Sequence, residues 1–85
     1  MGKHDKLLDK ILRGTSDASI PFDSLCHLLR KLGFGSRVRG SHHIFYRDGI
    51  EEILNLQPRG SNAKPYQVKQ VRHVILKYNL ADELE

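Results

Sequence analysis

Apolar residues switch from helical to strand-like spacing at Gly33, and that change restricts the possible folds more than any other feature. Upstream, Phe22, Leu25, Leu28, Leu29 and Leu32 recur at intervals of three and four, the stripe of an amphipathic helix. Downstream, the short runs FGSRVR, HHIFYR and IEEILNL are separated by Gly40-Ser41 and by Asp48-Gly49. Runs this short, bounded by turn residues, predict strands at residues 34–39, 42–47 and 50–56, with Asp48-Gly49 as a two-residue turn of the type I′ class. Strands joined so tightly pair antiparallel, which makes a three-stranded meander.

Three helical patterns surround it. Residues 4–13 place Leu7, Leu8, Ile11 and Leu12 on one side, with Gly14 as a stop and a small polar connector at residues 15–19. Pro21 suits the first turn of the second helix. After the loop at residues 57–64 (QPRGSNAK), Pro65 opens a third helix. It carries Val68, Val71, Val74, Ile75 and Tyr78 on one side and Lys69, Arg72 and Lys77 on the other, and ends near Asn79. Two amphipathic helices flanking a meander can cover one of its faces, so the expected class is an α+β two-layer sandwich with the other sheet face open. A chain of 85 residues holds one domain: an N-terminal helix and connector (1–18), a core (19–80) and an acidic tail (81–85).

Composition narrows the function classes. The 39% hydrophobic and 28% charged content is that of a folding protein rather than a disordered chain. No apolar run approaches the roughly 18 residues of a membrane span, and MGKHDKLLDK lacks the apolar core of a signal peptide. The lone Cys26 cannot form an internal disulfide and is expected in the core as a small apolar side chain. A cytoplasmic protein with no membrane partner is the expectation. Fourteen Lys and Arg against ten Asp and Glu give a net charge of +4. Asp82, Glu83 and Glu85 crowd the end, so the middle of the chain is more basic than the total. Such a surface attracts polyanions, although a merely solvated surface has the same composition.

The stretch GSHHIF sets His42 beside His43. Neighbouring side chains on a strand point to opposite faces, so the two imidazoles cannot readily share a metal ion. His4, His27 and His73 sit on helices without zinc-ligand spacing, and no metal or other cofactor is expected. His42 shares a face with Ile44 and Tyr46, while His43 shares one with Phe45. Both sets contain apolar residues, so alternation alone leaves open which faces the helices.

Several of these features occur together in one family. The helix ending LRKLGF, the Gly-Ser-His-His motif before an aromatic strand, the Asp-Gly hairpin, Pro58 after the third strand and the final helix VKQVRHVILK resemble the HicA toxins. These are small mRNA interferases with a double-stranded-RNA-binding-domain-like fold. The resemblance spans residues 21–80 and implies that His42, the first histidine after Gly40-Ser41, is catalytic on the open face, with His43 turned to the helices. Family members often carry a histidine soon after the proline, where this chain has Arg59-Gly60, and the helix before Arg13 extends the usual short form.

The implied activity is metal-independent cleavage of mRNA, with His42 as general acid or base. An imidazole suits both proton steps because its ordinary pKa of about 6.5 populates both forms near neutrality. Arg39, Arg47, Arg59 and Lys64, with Ser41, are the expected phosphate contacts, and Tyr46 the platform for an unpaired base. A HicB-like antitoxin is the implied protein partner. The alternative is a non-catalytic RNA-binding module, but the start of the last helix offers only Lys64 and Lys69 where such binders carry a dense lysine cluster.

Overall fold

The computed structural model describes residues 6–84. Helix α1 (Lys6–Arg13) and helix α2 (Phe22–Lys31) precede three strands, β1 (Gly35–Arg39), β2 (His42–Arg47) and β3 (Ile50–Leu56). A small hairpin, β4 (Pro58–Arg59) and β5 (Asn62–Ala63), then leads into helix α3 (Pro65–Lys77). The order β1-β2-β3 is the expected antiparallel meander. His4, expected in the first helix, lies outside the described residues.

The change of period at Gly33 has a structural cause. Gly33 adopts φ 89°, its N–H donates to the Arg30 carbonyl at 3.0 Å, and the Phe34 N–H donates to the Leu29 carbonyl at 3.1 Å. These two bonds close α2 as a Schellman motif, whose left-handed residue is normally glycine. Phe34 and Leu29, the apolar pair that accompanies such a cap, are both buried. The chain leaves the helix already aimed along β1.

Phe45, Leu54 and Leu56 bring the sheet into the core against Leu25, Leu28 and Leu29 of α2 and Val68, Val71, Val74 and Ile75 of α3. Cys26 is buried there too, as expected, and burial pushes its thiol pKa up. Helix α1 adds Leu8 and Ile11 and packs on both other helices. Its connector is tied down: Arg72 of α3 donates to the Ile11 carbonyl at 3.0 Å and to both carboxylate oxygens of Asp17 at 2.9 and 3.2 Å.

Three local expectations change. Pro21 caps α2 from outside rather than occupying its first turn. Asp48 keeps a negative φ and only Gly49 (φ 86°) is left-handed, so the turn is not type I′, which needs both; a register shift between Phe45 and Arg47 absorbs the difference. The loop at 57–64 contains the β4–β5 hairpin, secured where Phe22 N–H donates to Ser61 O at 2.9 Å and Ala63 N–H to Ile20 O at 2.8 Å.

Among the described residues no helix is long and apolar enough to cross a membrane. Residues 80–84 form a closing 3₁₀ turn that buries Leu80 and sets Ala81 and Leu84 against the core.

Candidate active site

Alternation along β2 resolves the histidine pair once the core is known. Phe45 is fully buried, so His43 turns with it toward the helices and meets the ring of Phe22 edge-on at 4.9 Å between centroids. Its Nδ1 is buried there without a hydrogen-bond partner. His42 is exposed on the opposite, open face with Ile44 and Tyr46.

The register fills in that face. Arg39 stands opposite His42, Arg37 and Asn55 flank Ile44, and Gly35 faces Tyr46. A Cβ on Gly35 would lie 2.8 Å from Cε1 of Tyr46, so the phenol ring, 43% exposed, lies across the glycine. Arg37 and Arg39 have no side-chain partner among the described residues, which leaves both guanidinium groups available to an anion.

Around His42 the polar groups are linked. Its Nδ1 lies 3.0 Å from Oδ1 of Asn55. Next to it, Gln57 Nε2 donates to Ser41 Oγ at 2.8 Å, and Lys64 Nζ donates to Gln57 Oε1 at 3.0 Å. Because Ser41 Oγ accepts from Gln57, its own O–H remains free to donate elsewhere. Beneath this row, Gln67 of α3 is only 4% exposed and uses both ends of its amide on β3 and the residue that follows it. Its Nε2 donates to the Asn55 carbonyl at 3.3 Å, and its Oε1 accepts from the Gln57 N–H at 3.0 Å.

The structure therefore brings His42, Arg39, Ser41, Tyr46 and Lys64 onto or beside one face. Arg59 is exposed in β4 opposite Asn62 and has no side-chain partner among the described residues. Arg47 does not belong with them, which corrects the sequence expectation. It shares the β2 face of His43 and Phe45, and its guanidinium reaches the helical side, where Nη1 donates to the Leu32 carbonyl at 2.8 Å and both terminal nitrogens grip Glu83 at 2.9 Å. The bond to Glu83 raises the Arg47 pKa and lowers that of Glu83. An arginine already paired in this way is not free to bind a phosphate.

Asn55, Gln57 and Gln67 were not singled out from the sequence. Asn55 had a signal, a polar side chain between Leu54 and Leu56 that alternation sends to the open face. Gln67 had none, because its partners lie 10 and 12 residues away on another element. A depression of about 330 Å³ between α1 and α2, lined by Leu7, Asp23, Ser24, His27, Leu28 and Lys31, shares no residue with this face. Among the described residues no group of three or more His, Cys, Asp or Glu is placed to hold a metal ion.

Chemically, the face offers an imidazole for proton transfer, cationic and hydroxyl donors for phosphate oxygens, and an aromatic surface. A family model described as HicA toxin of bacterial toxin-antitoxin matches residues 22–79. No curated protein and no solved structure matches the chain.

Proposed function

Because the chain belongs to the HicA toxin family of toxin–antitoxin systems, we propose that it is a metal-independent endoribonuclease that cleaves mRNA through His42. The observation that carries this reading is His42 itself: an exposed imidazole on the open sheet face, bonded to Asn55 and set opposite the unpaired Arg39.

Cleavage without a metal needs three services. The 2′-hydroxyl must lose a proton, the leaving 5′-oxygen must gain one, and charge on the phosphorane must be stabilised. His42 serves a proton step as general acid or base. Arg39, Ser41 and Lys64 supply donors to the phosphate oxygens, with Arg59 on the neighbouring hairpin. Tyr46, lying over Gly35, gives an unpaired base a surface to stack on. A HicB-like antitoxin would neutralise such a toxin by covering this face and its positive charge.

The test is purified protein with mRNA in excess EDTA. Shortened RNA supports the reading. RNA that is retarded on a gel but stays intact would identify a non-catalytic RNA-binding module, and expression without an antitoxin that leaves growth unaffected would count against toxicity.

A further inference from the structure

His42 has a neighbour whose chemistry determines where the imidazole proton sits. An amide oxygen only accepts, so a hydrogen bond across the 3.0 Å contact between His42 Nδ1 and Asn55 Oδ1 requires a proton on Nδ1. In the neutral ring the lone pair then belongs to Nε2. Asn55 does not set this geometry unaided. Gln67 bonds the backbone at the end of β3 on both sides of Leu56, at the Asn55 carbonyl and at the N–H of Gln57 just beyond the strand. It is the one buried polar side chain among the described residues, and leaving its amide unpaired there would be costly. The same clasp fixes Gln57, which in turn holds Ser41 and Lys64.

We propose that Asn55 is the positioning residue of this site: it locks His42 in the Nδ1–H tautomer, so that Nε2 is the proton acceptor, with Gln67 as the buried clasp behind it. The identity of the substrate rests on the ribonuclease reading, whereas the tautomer is a property of the free protein. In the reaction, Nε2 takes the 2′-hydroxyl proton as the 2′-oxygen bonds to phosphorus. The bond from phosphorus to the 5′-oxygen breaks, that oxygen takes a proton from water, and the imidazolium returns its Nε2 proton to the hydroxide left behind. The products are a 2′,3′-cyclic phosphate and a 5′-hydroxyl. Throughout, Nδ1–H stays on Asn55 Oδ1, whose partial negative charge faces the imidazolium that forms.

The test is ¹⁵N NMR of the His42 ring in the parent, Asn55→Ala and Asn55→Asp proteins, with cleavage followed across pH. Asn55 is exposed, so neither change should threaten folding. The parent should show Nδ1–H; Asn55→Ala should drift toward the Nε2–H form that free imidazole prefers and lose about tenfold in kcat at little cost in KM, the worth of one hydrogen bond. Asn55→Asp keeps an acceptor and adds negative charge, so it should restore Nδ1–H, recover most of the rate and move the acid limb of the pH profile upward. An Nε2–H ring in the parent, or a tautomer unchanged by Asn55→Ala, overturns the proposal. A parent that shows Nδ1–H but cuts no RNA refutes the ribonuclease reading and leaves the positioning of the ring by Asn55 standing.

Discussion

At Gly35 the absence of a side chain decides where its neighbour can lie. Tyr46 occupies the volume a Cβ would need, with Cε1 at 2.8 Å and Cζ at 3.0 Å. Gly35→Ala must therefore lift the ring off β1. A base stacked on an aromatic side chain is worth about 1–3 kcal/mol, so this substitution should weaken RNA binding by about tenfold while the protein still melts cooperatively. Unchanged affinity in a titration with single-stranded RNA would remove Tyr46 from the interface. At this scale the sequence was legible where period-two alternation applied: it separated His42 from His43, and only the choice of face had to wait for the burial of Phe45. Alternation already sets Arg47 with His43 and Phe45 rather than with His42, but its partner was illegible, because Glu83 lies 36 residues downstream.

Between elements, Glu52 is the titratable link from the sheet to α3. Lys77 Nζ and the Tyr78 hydroxyl each donate to its carboxylate at 2.7 Å, and together, Lys77 first, they pull its pKa from 4.5 down to about 2. A carboxylate whose pKa is lowered by folding stabilises the fold above its unfolded pKa, and that contribution is lost as pH falls toward the folded one. Thermal melting of the parent should therefore fall between about pH 4.5 and pH 2 more steeply than that of Glu52→Gln. Glu83, also lowered, remains in both proteins. Parallel slopes in circular-dichroism melts would show that the Glu52 link carries no pH dependence. The main elements were readable because each has its own period and punctuation. The β4–β5 hairpin was not, since Pro58, Gly60, Ser61 and Asn62 read locally as loop and the pairing is completed by Ile20 and Phe22 some 40 residues earlier.

Across the whole molecule, the helical layer leaves one sheet face free and holds it rigidly from behind. Arg72 binds α1 and the connector to α3, Arg47 binds the closing turn to the end of α2 and the sheet, and Gln67 binds α3 to the strand that carries Asn55. Helix α1 and residues 80–84 lie outside the family match, yet both contribute buried residues to the same core. The α+β class and the open face followed from the sequence, because a meander between two amphipathic helices has one arrangement that buries both stripes. The ties that set the site did not, since each joins residues distant in the chain. The most direct measurement is the rate of RNA cleavage in EDTA by His42→Ala beside His43→Ala. The account predicts a loss of about 10²–10⁴-fold for His42→Ala with its fold and much of its RNA affinity retained, and cleavage by folded His43→Ala. Cleavage by His42→Ala at the parent rate would contradict it.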